Sequence, residues 1–197
     1  MITTEQIKQL RDDTGVSVMQ CKKALEEAGG DMVKALAVLK KKSSDIATKK
    51  SDRALKAGVV AAYIHSNGTL GAMVELNCET DFVAKNEEFK ALAYDIAMHV
   101  AAANPEFVKA DDVPEEAKSK MIELFKEEVE KSGKPKEIQA KMLDGKVSTY
   151  LKERTLVDQP FIKNPDETIG DLVKKAVQKF GENTSIGKIA RFSVLEK

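Results

Sequence analysis

Cys78-Glu79-Thr80-Asp81-Phe82-Val83-Ala84-Lys85-Asn86 is where this chain changes period, and the fold follows from that change. Upstream the apolar residues alternate and downstream they recur at helical spacing, so a strand ends and a helix begins here. Thr80 is the expected N-cap, its hydroxyl accepting from a free backbone N–H, and Asp81 then lies where the helix dipole favours negative charge. Phe82 opens the series Phe82, Phe89, Ile96 and Val100 along a helix expected from Asp81 to about Ala103. By pattern alone that makes Phe82 a core residue.

On the N-terminal side, Val59, Ala61 and Tyr63 run opposite in phase to Val60, Ala62 and Ile64, followed by Ser66-Asn67-Gly68 and a second run through Leu70, Ala72, Val74 and Leu76. This is a hairpin with an Asn-Gly turn. Its first strand is apolar on both faces, so part of the sheet should be covered on both sides. On the C-terminal side, Asp112-Val113-Pro114-Glu115 starts a helix with Met121, Leu124, Phe125 and Val129 as its buried side. Gly133 and Pro135 interrupt it, and Ile138, Met142, Leu143, Val147, Tyr150 and Leu151 resume helical spacing, predicting a coiled-coil-like antiparallel helical hairpin. A loop from Asp158 to Glu167 then leads into a helix near Thr168 to Phe180, stopped by Gly181. The last strand, Ile186 to Val194, joins the hairpin in a three-stranded antiparallel sheet, which makes the fold class α+β.

The first fifty residues read as three short helices. Thr3 to Gln6 and Ser17 to Gln20 fit a capping box, Gly15 and Gly29-Gly30 are stops, and Asp31 caps a third helix whose apolar side is Val33, Leu36 and Ala37. The lysines from Lys40 to Lys50 read as a solvated helix end and linker.

With 32 basic and 32 acidic side chains in 197 residues the formal net charge is zero, so neither a nucleic acid nor an anionic membrane is an expected partner. Cys21 and Cys78 lie too far apart for a CxxC pair, and with two histidines they make no metal cluster; they are expected to be buried thiols in a reducing compartment. Met1 to Gln6 carries no basic segment leading into an apolar run, and no stretch of about 18 apolar residues occurs, so a cytoplasmic protein is expected. No Ser/His/Asp or Cys/His arrangement stands out, and His65 and His99 read as surface or packing residues. Gly181 to Lys188 fails as a phosphate-binding loop, having five residues between its glycines and Ile189 where Ser or Thr belongs. No enzyme, no cofactor and no metal are expected.

Four separated stretches carry a more specific signal. Thr80-Asp81-Phe82-Val83-Ala84-Lys85-Asn86 resembles the TDFVA(K/R)N signature of the elongation factor Ts family, exchange factors for the translation GTPase elongation factor Tu. Leu10-Arg11-Asp12-Asp13-Thr14-Gly15, followed by Met19-Gln20-Cys21-Lys22-Lys23-Ala24-Leu25, is similar to that family's N-terminal signature. Ser132-Gly133-Lys134-Pro135-Lys136-Glu137-Ile138 and Gln159-Pro160-Phe161 resemble its later landmarks, in the family's order.

The resemblance implies a ubiquitin-associated-like N-terminal domain and linker over 1–54, with Thr14 to Met19 as contact loop. It implies a core dimerisation domain over 55–197, including a helical hairpin at about 113–154. The implied partner is elongation factor Tu in its GDP-bound and nucleotide-free states. Thr80, Asp81, Phe82 and Val83 would intrude near its magnesium and phosphate site, with Arg11, Val18, Met19 and His65 as further contacts. Ser17, Val18 and Gln20 depart from the glycine, methionine and aspartate commoner in that family loop. An intruding Phe82 must be exposed, which conflicts with the core position its spacing predicts. Longer members resemble a core with two related halves where this chain supplies one, so the resemblance implies a homodimer. The competing reading is a non-catalytic adaptor whose N-terminal module binds a partner helix or ubiquitin-like protein, leaving Phe82 dispensable.

Overall fold

The computed structural model describes residues 2–194, which form an α+β chain. In order these are α1 (Thr4–Thr14), α2 (Val18–Glu27), α3 (Met32–Lys50), β1 (Ala57–Ile64), β2 (Leu70–Cys78), α4 (Asp81–Ala84) and α5 (Glu87–Ala103). Then follow α6 (Glu115–Glu130), α7 (Lys136–Arg154), β3 (Pro160–Phe161), β4 (Asn164–Thr168), α8 (Ile169–Phe180) and β5 (Thr184–Ser193). The antiparallel three-stranded sheet has the order β1-β2-β5. Contacts divide the chain into two units: one holds the residues up to Ala61, Val74–Asp95 and Asp171–Gly187, the other Ala62–Met73, Ile96–Gly170 and the chain from Lys188 onward.

In the first unit, local sequence chemistry sets the helix ends. Thr3 and Gln6 form the reciprocal capping box, Ser17 accepts from the Gln20 N–H, and Asp31 accepts from the Lys34 N–H. Gly15 closes α1 at φ 66°, donating to the Arg11 carbonyl, and a Cβ there would come within 2.9 Å of the Lys179 ammonium. The module's core is Leu10, Val16, Cys21, Ala24, Leu25, Ala35 and Leu39. The expected apolar side of α3 is therefore corrected: Val33 and Leu36 are exposed, and Ala35 and Leu39 face inward. Residues 32–39 are apolar almost all the way round the helix, so spacing could not choose the phase. Lys40 pairs with Asp171 at 2.8 Å, and Gln178 donates to Gln20 at 2.7 Å, tying α8 to this module.

In the second unit, α6 packs along α7, with Met121 and Val129 buried and Phe125 edge-on to Tyr150 at 5.7 Å. Leu124, expected inside, is exposed, because α6 buries only the narrow stripe through Met121 and Val129. The stretch expected to be a loop from Asp158 to Glu167 instead contains the β3–β4 ribbon, in which Phe161 is buried. His99 is a packing residue: it is buried, its Nε2 meets Gln159 Oε1 at 3.0 Å, and its Nδ1 accepts from the Ile162 N–H at 3.3 Å. Desolvation holds its pKa below the ordinary histidine value. No helix among the described residues is long and apolar enough to cross a membrane.

Candidate functional site

The junction between β2 and α5 is built as a short presenting turn. The chain leaves β2 at Cys78, makes the single turn α4, stops at Lys85, and restarts as α5 at Glu87. The single helix expected from Asp81 is thus two helices. Asn86 divides them: its N–H bonds back to the Val83 carbonyl at 3.0 Å, while its side-chain oxygen accepts from the Glu88 N–H at 2.8 Å and caps α5. This break resets the helical phase between Phe82 and Phe89. Phe89 is fully buried, whereas Phe82 is 81% exposed, so the core position predicted for Phe82 is corrected.

The other residues of the turn divide by direction. Val83 is only 4% exposed and, with Ala84, seats α4 in the unit, leaving Thr80, Asp81 and Phe82 at the surface. Asp81 Oδ2 receives the Lys85 ammonium at 2.6 Å; that bond and the charge behind it hold the Asp81 carboxyl below its usual pKa. Thr80 occupies the N-cap position, but its side chain makes no cap hydrogen bond. Its hydroxyl instead donates to Glu182 Oε1 at 2.6 Å. The expected cap is therefore corrected: the hydroxyl is held toward Glu182 and accepts from no N–H of α4.

Glu182 also accepts the N–H groups of Glu79 and Thr80 through Oε2, at 3.1 and 3.0 Å. Glu79 in turn accepts the Asn183 N–H at 2.6 Å and faces Arg53, and this N–H bond first, then Arg53, lowers its pKa. Asn183 is buried, and its amide donates to the carbonyls of Ser51 and Arg53 at 3.2 and 2.9 Å. Cys78 is a buried free thiol donating to the Thr80 carbonyl at 3.2 Å, its pKa raised chiefly by desolvation.

The remaining predicted contacts are all at the surface. Arg11 is exposed, as are Val18 at 49% and Met19 at 67%, so neither apolar side chain fills the module's core. They share the first unit with α4. His65 is exposed in the second unit, beside the β1–β2 turn, with Nδ1 3.0 Å from the Tyr63 hydroxyl. Among the described residues, no group of three His, Cys, Asp or Glu side chains is gathered as a metal site would need.

The turn thus carries an exposed phenylalanine beside a carboxylate paired with Lys85, on backbone held by Glu182 and by the buried Val83. Its sequence is matched in known proteins. The model of the elongation factor TS family matches residues 19–196. An elongation factor Ts of Carboxydothermus hydrogenoformans is 48% identical over 196 residues, covering 100% of this chain and 90% of that protein. Those of Thermodesulfovibrio yellowstonii and Thermosipho melanesiensis are 46% and 44% identical, covering 98% and 100% of this chain and 96% and 100% of their own lengths.

The chain belongs to the elongation factor Ts family. It is accordingly a translation elongation factor of the nucleotide-exchange kind and not a catalytic enzyme. Placed in that family, the residues that sequence reasoning missed are Glu79, Glu182, Asn183 and Arg53. In the sequence Glu182 and Asn183 stand out only as the interior of the failed phosphate loop. The available signal was the polar run Gly181-Glu182-Asn183-Thr184 immediately after a helix stop, where carboxylates commonly find backbone donors.

Proposed function

We propose that this protein promotes GDP release from elongation factor Tu by inserting Phe82 near the partner's magnesium and phosphate site, so that GTP can rebind. The observation that carries the reading is the exposed Phe82 ring on a turn whose backbone is fixed. An aromatic ring offers contact area while few torsions are frozen on docking. Asp81, kept ionised by Lys85, brings a carboxylate to a site whose ion depends on oxygen ligands and their supports. Thr80 holds the entry to the turn and Val83 its buried footing. Arg11, Val18, Met19 and His65 provide further contacts, the flexible Met19 suiting an apolar surface that adapts. The work is a coupling free energy: a factor that weakens nucleotide binding is itself weakened by nucleotide in equal measure, about 1.4 kcal/mol for each tenfold. Both GDP-bound and nucleotide-free partner are therefore bound, the latter more tightly.

The three-helix module over 1–54 serves in this reading as a ubiquitin-associated-like contact domain. Residues 55–197 form the core that dimerises, and the hairpin of about 113–154 projects in a coiled-coil-like manner. A homodimer is favoured by one face of the sheet, where Ile64, Met73, Phe192 and Val194 are exposed around a shallow groove also lined by Ala62 and Gly71. A second such face is the ordinary cover for an apolar sheet surface. Ile64→Glu should shift the dimer to monomer in sedimentation velocity. The exchange reading is tested by release of fluorescent GDP from purified elongation factor Tu: catalytic amounts of this protein should accelerate it, and an unchanged rate with a competent partner overturns the reading.

A further inference from the structure

We propose that Glu182 is a positioning residue for Phe82, a role that rests on the exchange reading above. Its carboxylate is the hub of the turn between β2 and α4, taking the N–H groups of Glu79 and Thr80 on Oε2 and the Thr80 hydroxyl on Oε1. The arrangement is reciprocal: Glu182 binds backbone of the β2–α4 segment, and Glu79 binds backbone of the α8–β5 segment at the Asn183 N–H. Asn183 anchors the pair to the end of the N-terminal module through the Ser51 and Arg53 carbonyls. Lys50 adds a bond to the Gly181 carbonyl. Two carboxylates are thus used as cross-braces for main chain, and two of the three bonds to Glu182 come from Thr80, two positions before Phe82.

The consequence for Phe82 is conformational. An 81% exposed ring has little of its own unit to lean on, so its direction is set by the backbone of 79–84. If that backbone were loose, docking in a partner would have to order it, and the ordering entropy would weaken engagement. Charge-assisted bonds from Glu182 remove that freedom beforehand, which is the same logic by which fixed geometry raises effective concentration. Val83 holds the turn from below by burial; Glu182 holds it from the entry side by hydrogen bonds. Glu182 touches no nucleotide in this account and acts only through Phe82.

The test compares Glu182→Ala and Glu182→Gln, each in the wild-type and Phe82→Ala backgrounds. The readouts are the slope of labelled-GDP release from elongation factor Tu against factor concentration, and amide hydrogen exchange of residues 79–84. Glu182→Ala is expected to lower the slope about tenfold in the wild-type background and less than about twofold when Phe82 is already alanine. Glu182→Gln keeps one oxygen for both backbone donors and an amide for the Thr80 hydroxyl, so it should rescue most of the slope. Exchange at the Glu79 and Thr80 amides should quicken in Glu182→Ala alone. An unchanged slope, or the same fractional loss in both backgrounds, overturns the positioning role. Should Glu182→Ala fail to fold, Thr80→Val, which removes the hydroxyl donor, replaces it in both backgrounds: about threefold loss with Phe82 present and less than about twofold with Phe82→Ala supports the proposal, and full activity or an equal loss in both overturns it. A wild-type protein that does not accelerate release fails the exchange reading itself, before any variant is compared.

Discussion

α4 and α5 each carry a phenylalanine near their start, and the two rings have opposite surroundings. Phe89 is fully buried and meets Phe180 edge-on at 5.7 Å, while Phe82 stands in solvent. The side chains are chemically identical, so hydrophobicity does not separate them. What separates them is the Lys85-Asn86 break, which turns α4 so that Val83 and Ala84 face inward. One residue's capping preference thereby decides which ring builds the core and which is free to meet another protein. It also predicts that the two positions fail differently: one through stability, the other through function.

The largest effect should come from Phe89→Ala. Removing a fully buried ring costs about 3–5 kcal/mol, a large fraction of a typical domain's stability, and denaturant unfolding should show it directly. Phe82→Ala should be its mirror image, with unfolding changed by no more than about 0.5 kcal/mol while partner engagement loses about 2 kcal/mol, roughly thirtyfold. If Phe82→Ala destabilises as strongly as Phe89→Ala, the two rings are not in the opposite settings described. Asn86→Ala should fall between them in kind and below both in size, costing about 1 kcal/mol of stability through the lost α5 cap. Because it loosens the break itself, it should also blunt nucleotide release modestly; stability lost with release untouched would show that the cap does not set the direction of Phe82.

Much of this architecture is legible from local chemistry. Thr3, Ser17 and Asp31 cap the helices they were expected to cap, Gly15 ends α1, and Asn67-Gly68 turns the hairpin, because each of these depends on neighbours within a few residues. The break at Asn86 was legible in principle, since Asn followed by Glu87 and Glu88 is a helix-start pattern. It was outweighed by the seven-residue spacing from Phe82 to Phe89, which is compelling only for an uninterrupted helix. The β3–β4 ribbon is hidden because β3 has two residues and β4, Asn164-Pro165-Asp166-Glu167-Thr168, has no apolar residue to alternate. Glu182 is harder to read for a different reason: the polar run after Gly181 marks a carboxylate suited to backbone donors, but its partners Glu79 and Thr80 are more than a hundred residues away, and no local pattern names them. The α3 face failed because residues 32–39, apolar almost all round, give no phase to read. In the site itself, resemblance located Phe82, whereas the structure found what holds it.

The central claim is that an exposed Phe82, and not the core alone, does the work on the partner. Its most direct test is release of fluorescent GDP from elongation factor Tu, with excess unlabelled nucleotide, in the presence of wild-type protein or the equally folded Phe82→Ala variant. The account predicts acceleration by the wild type and at least about thirtyfold weaker acceleration by the variant at matched concentration. Equal acceleration by both proteins would contradict it.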